Sequence, residues 1–232
     1  IYINEVVKED LERISTGLSE FDRVLGRNPS FDKKKEVNGL VKGSVTLLSG
    51  EPGIGKSTLL LQACVQFASS KMKVAYVSAE ESVTQIAIRA ERTIQNKKDL
   101  EKVIFVNNYN VDKIISTLEE EKIEIAVIDS IQTIASEESM GNPGGTSQVK
   151  HCASKLINFA KSNNVTLFIV GHINKEGSIA GPKILEHLVD CVIQIEGERG
   201  GELRIIRTLK NRFGPTNEVG IFRMEEGGLV DV

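Results

Sequence analysis

Gly50-Glu51-Pro52-Gly53-Ile54-Gly55-Lys56-Ser57 carries the spacing G-x-x-x-x-G-K-[ST]. Glycines so placed let successive backbone N–H groups turn inward around phosphate oxygens. The Lys56 ammonium can then neutralise the β and γ phosphates, and the Ser57 hydroxyl can ligate Mg²⁺. The alternative is a glycine-rich turn that binds nothing. The apolar run Val45 to Leu48 before the loop and the helix-like stretch from Thr58 weigh against it, so the pattern implies ATP or GTP.

Other side chains could complete such a site. The run Ile125-Ala126-Val127-Ile128 ends at Asp129, delivering a carboxylate to the carboxyl edge of a buried strand, where ligands bind in open α/β sheets. An acid there supports Mg²⁺ alongside Ser57; a plain turn cap is the alternative. Val74 to Ser78 delivers Glu80 and Glu81 to the same edge. A general base must reach the water in line with the γ phosphate, and Glu80 is nearer the strand end. For Glu81 the stronger reading is an acid favouring the N-terminus of the helix that starts near Ser82. His172 ends the run Thr166 to Val170 and is placed either to touch the γ phosphate or to serve as a structural histidine. Lys175 and Lys183 follow, with Gly177 and Gly181, in a loop suited to close approach to a phosphate backbone. Lys210-Asn211-Arg212-Phe213-Gly214 is a basic turn, either solvated or a finger reaching a neighbour's nucleotide.

The elements that must position these groups are legible from periodicity. Strand-like runs Val74 to Ser78, Val103 to Val106, Ile125 to Asp129 and Thr166 to Gly171 alternate with helical patterns, which predicts a mostly parallel sheet flanked by helices. The helical stripes are Val83, Ile86, Ala87, Ala90; then Val111, Ile114, Ile115, Leu118; then Val149, Cys152, Ala153, Leu156, Ile157, Ala160. Beyond Asp190 three β-type runs, starting at Cys191, Leu203 and Val219, predict a small antiparallel extension. The chain reads as one domain: a lead-in over 1–43, a nucleotide-binding core over 44–190 and a β extension over 191–232. Segments 26–38 and 136–147 lack periodicity and read as mobile surface loops.

Composition narrows the function further. A chain of 232 residues, 40% hydrophobic, can bury one sizeable core. No apolar run approaches the roughly 18 residues that span a bilayer, and the charged start is unlike a signal peptide, so a cytoplasmic location with no membrane partner is expected. The three cysteines are widely spaced in apolar surroundings, which predicts buried thiols and neither a disulfide framework nor a zinc site. A net charge of −3 gives no bulk support to a nucleic-acid partner, and Lys33-Lys34-Lys35 is largely cancelled by Asp32 and Glu36.

Together these segments resemble the ATPase core of the bacterial RadA/Sms DNA-repair proteins, relatives of RecA and of hexameric replicative helicases. The marks are Arg13-Ile14-Ser15-Thr16-Gly17, Phe21 to Gly26, the phosphate loop, Ser78 to Ser82, Ile128 to Thr133, Gly171 to Gly177, Ile179 to Lys183, Leu185-Glu186-His187 and the turn from Lys210 to Gly214. The resemblance implies a RecA-like P-loop NTPase fold, a homo-oligomeric ring, usually a hexamer, with ATP between subunits, and movement on single-stranded or branched DNA alongside the RecA recombinase. It implies that Lys56, Ser57 and Thr58 bind ATP and Mg²⁺, that Asp129 supports the metal and that Glu80 is the base. It also implies that the loops 136–145 and 175–183 face DNA, and that Lys210 and Arg212 act on the neighbouring subunit's ATP. The family usually adds a four-cysteine zinc motif and a domain resembling the Lon protease, so the chain is expected to be the middle of a longer protein or a reduced relative. Arg27 to Asn38 reads as an insertion, and Ala79 replaces a usual glycine. Two other readings stand beside this one: a phosphate-loop kinase with a small acceptor, and a non-catalytic, ATP-dependent assembly module.

Overall fold

Strands that are apolar at every position must be covered on both faces, and the central runs of this chain are of that kind. The computed structural model describes residues 11–27, 38–94, 97–172, 182–197 and 200–232. Near the start a short antiparallel pair, β1 (Arg13–Ile14) and β2 (Leu40–Val41), brackets helix α1 (Ser19–Leu25). Next come β3 (Val45–Gly50), α2 (Lys56–Ser69), β4 (Val74–Ser78), α3 (Val83–Thr93), α4 (Lys97–Leu100), β5 (Val103–Val106), α5 (Val111–Glu120) and β6 (Ile125–Asp129). A 3₁₀ turn over Ile131–Thr133 leads to α6 (Thr146–Asn163), β7 (Thr166–His172) and α7 (Pro182–Leu185). The chain closes with β8 (Cys191–Glu196), β9 (Leu203–Asn211), β10 (Val219–Glu225) and β11 (Gly228–Asp231).

Among the described residues, nine strands make one sheet in the order β11-β10-β9-β8-β3-β7-β6-β4-β5. The six from β8 to β5 are parallel, and β9, β10 and β11 join antiparallel. This is the mostly parallel α/β architecture, with antiparallel C-terminal strands, that the periodicity predicts. One boundary differs. Cys191–Glu196 pairs in parallel with β3, so the antiparallel part begins only at β9. An apolar strand looks the same whichever way its neighbour runs, and the sequence could not separate the two cases.

Side chains alternate across the sheet. Leu48, Tyr76, Val127 and Phe168 join α2 residues Leu60, Cys64 and Phe67 in one core, while Leu47, Val77, Ile128 and Ile169 join Ile114 of α5 and Leu156 of α6 in the other. The α6 stripe is buried throughout, and all three cysteines are buried. The α3 stripe is narrower than its periodicity suggests. Ile86 and Ala90 are buried, but Val83 and Ala87 are exposed, because α3 lies against α2 toward the β5 edge and covers the core with a thin strip.

Two segments read as loops have identifiable fastenings. The ends of the expected insertion meet in an antiparallel bridge between Arg27 and Asn38. Beneath them the buried Arg13 guanidinium donates to the carbonyls of Leu25 (3.4 Å), Gly39 (2.7 Å) and Phe213 (2.7 Å). The motif residues Ser15 and Thr16 likewise donate to the Asp22 carboxylate, so this part of the family pattern is architectural. The interior of the insertion, with Lys33 to Lys35, lies outside the described residues, as does Lys175.

The segment before α6 is pinned by Gln148, which is 4% exposed. Its Oε1 accepts from the Ser136 N–H, and its Nε2 donates to the carbonyls of Ser136, Ser139 and Gly141. Replacing Gln148 with Ala is expected to leave the Ser136 N–H unpaired and to cost about 1–3 kcal/mol. Denaturant unfolding checks the loss, and amide exchange should quicken over 136–141 while the α6 stripe stays protected.

Candidate functional site

Register aligns the strand ends. Gly50 pairs with His172 and Ser78 with Asp129, so the loop, the histidine and the carboxylate emerge along one edge. Pro52, Gly53, Gly55, Lys56, Ser57, Thr58, Ser78, Glu80, Glu81, Arg89, Asp129 and His172 line a cleft of about 250 Å³ there. The glycines are required by geometry. Gly53 has φ +76°, and a Cβ on Gly50 would lie 2.7 Å from the Ile195 carbonyl oxygen.

Lys56 is 3% exposed, and its Nζ donates to the carbonyls of Gly50 (2.9 Å) and Glu51 (2.8 Å). Burial pushes its pKa down to about 8, against the opposing pull of Asp129, Glu80 and Glu51. The Tyr76 hydroxyl, on the α2 side of the sheet, donates to Asp129 Oδ2 at 2.5 Å. Burial first, and then Asp129, holds the phenol protonated as that donor. Mg²⁺ is commonly held by one or two carboxylates together with substrate phosphates, and the Ser57 hydroxyl and Asp129 carboxylate in this cleft fit that donor set.

The tandem acids are in different situations. Glu81 pairs with Arg89 at 2.5 Å, whereas Glu80 is 56% exposed with its Oε2 3.4 Å from His172 Nε2. Glu80 is therefore the acid with room to engage a water. Among the described residues neither ring nitrogen of His172 has a hydrogen-bond partner, and the same is true of Ser130 Oγ and Gln132 Oε1 just past Asp129. Of these residues His172 lines the cleft, while Ser130 and Gln132 lie behind it. Gln132 Nε2 reaches the His172 carbonyl at 3.4 Å, joining the segment after Asp129 to the end of β7.

The basic turn stands elsewhere. Val192, near the start of β8, pairs with Lys210, while Gly50 at the cleft end of β3 pairs with Ile195. Val192 and Ile195 are three residues apart along β8, which sets the Lys210 level roughly 10 Å back from the cleft end, and β9 lies two strands away from β3. Lys210 Nζ donates to the carbonyls of Glu186 (2.7 Å) and Val189 (2.8 Å), and Arg212, 52% exposed, pairs with Asp190 at 3.2 Å. Neither lines this chain's own cleft. Lys183 is exposed on α7 and does not line it either.

Three contributors escape a reading by motif. Tyr76 sits in an apolar run with nothing to mark its hydroxyl. Arg204 of β9 donates from Nε to the Ile54 carbonyl at 2.9 Å, so the C-terminal extension braces the phosphate loop. Arg89 had a visible signal: a cation lying between Ile86 and Ala90 on the face that α3 buries.

A family model described as an AAA domain matches residues 10–178. The chain belongs to the AAA domain family. It is 49% identical over 225 residues to a DNA repair protein RadA of Aquifex aeolicus, covering 97% of this chain and 47% of that relative. Against the DNA repair protein RadA of Bacillus subtilis it is 45% identical over 230 residues, covering 99% and 47%. The resemblance to RadA proteins read from the motifs therefore holds, and this AAA domain spans about half the length of those relatives. Its fold is similar to that of the KaiC-like protein PH0186 from Pyrococcus horikoshii, with a TM-score of 0.75, 20% identity, and 96% and 99% of the two chains covered. The chain is a RecA-like P-loop ATPase core. No helix among its described residues is long and apolar enough to cross a membrane.

A phosphate needs the charged form of Lys56, so affinity for a nucleoside triphosphate is expected to fall as pH rises through about 8. The slope should approach about tenfold per pH unit for one proton. Titration of a fluorescent ATP analogue between pH 7 and 9.5 checks this. A Lys56→Ala variant should bind weakly with no such dependence, and the same slope in that variant would assign the proton to another group.

Proposed function

We propose that this core is a DNA-dependent ATPase that hydrolyses ATP between subunits of a homo-oligomeric ring, a hexamer on the family pattern. In this reading it translocates along single-stranded DNA and processes branched intermediates in recombination and repair, alongside the RecA recombinase. The observation that carries the ATPase part is the meeting of the phosphate loop, Asp129, Glu80 and His172 in one cleft. The DNA part rests on likeness to proteins named for DNA repair.

In this mechanism the N–H groups of the phosphate loop and Lys56 bind the phosphates, and Ser57, Thr58 and Asp129 hold the metal side of the nucleotide. Mg²⁺ held by Ser57 and Asp129 would supply Lewis-acid stabilisation of the charge that develops on the phosphate oxygens. Glu80 orients the attacking water and accepts its proton. His172 senses the terminal phosphate and passes that state to the chain that follows, where Lys175 and Lys183 meet DNA together with the segment before α6. Arg212 and Lys210, which do not line their own cleft, act on a neighbour's ATP. A few cations per subunit suffice when a ring gathers them around one channel, which reconciles DNA binding with a net charge of −3.

Steady-state ATP hydrolysis with and without single-stranded DNA tests this. Stimulation by DNA that disappears in Lys56→Ala and Glu80→Gln is the expected result. Arg212→Ala should lower turnover by about 10³-fold or more while nucleotide affinity stays within about threefold. Turnover indifferent both to DNA and to Arg212 would instead favour a monomeric kinase or an ATP-dependent assembly module.

A further inference from the structure

The guanidinium of Arg89 has two edges, and only one is used. Nη1 meets Glu81 Oε2 at 2.5 Å. Nε and Nη2, which form the other edge, are buried with no hydrogen-bond partner among the described residues. That edge is a planar fork of two parallel N–H donors, matched in spacing to two oxygens of one carboxylate or phosphate. Among the described residues Glu81 is the one acid in an ion pair with Arg89. The Asp129 carboxylate, also on the cleft wall, already accepts from Tyr76.

The location narrows what the fork can take. A helical side chain leans back toward the N-terminus of its helix, and from α3 that direction leads to the cleft wall made by Ser78, Glu80 and Glu81. This wall lies at the end of β4, beside Asp129 at the end of β6 and in the same cleft as His172 and the phosphate loop. The side chain is 16% exposed and Nε and Nη2 themselves are closed to solvent, so a phosphate reaches the fork as the guanidinium pivots about its Glu81 contact toward the cleft.

We propose that Arg89 binds the terminal phosphate of the nucleotide through its Nε and Nη2 edge, with Glu81 holding the guanidinium in place, and so sets the preference for tri- over diphosphate. The proposal rests on the ATPase reading of the cleft. It gives the two adjacent acids separate tasks: Glu80 faces the water, and Glu81 orients the arginine that reads the phosphate. A purely structural Arg89 would serve only to neutralise Glu81.

The test is equilibrium binding of ADP and of a non-hydrolysable ATP analogue to the full chain, to Arg89→Ala and to Arg89→Lys, with thermal unfolding to confirm that each variant is folded. Lys56→Ala serves as the control for nucleotide binding itself. Expected is a loss of about 10- to 100-fold in affinity for the ATP analogue in both variants, with ADP affinity held within about threefold. Lysine should not rescue, because it keeps the charge and loses the fork. Equal losses for both nucleotides, or none for either, would overturn the proposal and leave Arg89 as a structural partner of Glu81. Failure of the unaltered chain to bind either nucleotide would overturn the ATPase reading as well, which separates the two.

Discussion

The register of the central parallel strands is the constraint on which the site depends. Gly50 opposite His172, and Ser78 opposite Asp129, bring four strand ends to one edge of the sheet, with β3 and β7 reaching two residues beyond β6 and β4. A slip of one residue in β6 would turn Asp129 into the core and aim its neighbour at the cleft, since successive side chains point to opposite faces. Both faces of these strands are buried, so such a slip would also turn Val127 out of the packing it shares with α2. Hydrophobic burial on two sides thereby fixes the position of a few polar groups at the edge.

Asp190 holds the other end of the same strands. Its carboxylate accepts from the Val45 N–H at 2.9 Å and pairs with Lys161 and Arg212. Burial pushes its pKa up, but the Lys161 ammonium, the Val45 N–H and Arg212 together hold it below the usual range. One buried acid thus ties the start of β3 to the end of α6 and to the basic turn. Arg13 reaches the same turn through the Phe213 carbonyl. The Lys210 to Gly214 segment, solvated or functional on sequence grounds, is in this structure fastened from three sides, and Arg212 keeps half its surface outward.

Much of this was legible because the relevant signals are local. A phosphate loop is a contiguous string, and an acid at the end of an apolar run marks a strand edge without knowledge of the partners. The α6 stripe was readable for the same reason. Pairing direction was not, and β8 shows why: its pattern is set by burial, which is alike in parallel and antiparallel surroundings. The contributions of Tyr76, Arg204 and Gln148 depend on contacts across 53, 150 and 12 residues of chain, which no single window contains. Arg89 lies between these cases, since its place on the buried face of α3 is local information while its approach to Glu81 is a matter of side-chain direction.

In the proposed reaction the carbonyls of Gly50 and Glu51 bear on turnover as well as on structure. An arriving phosphate must compete with them for the Lys56 ammonium, and a departing one hands it back. The loop thus supplies its own stand-in for the anion, so that product release exchanges one set of partners for another and does not strand a bare cation in a poorly solvated site. A catalyst built this way resets itself at each cycle, and the strength of those two carbonyl contacts becomes a brake on how tightly the spent nucleotide can be retained.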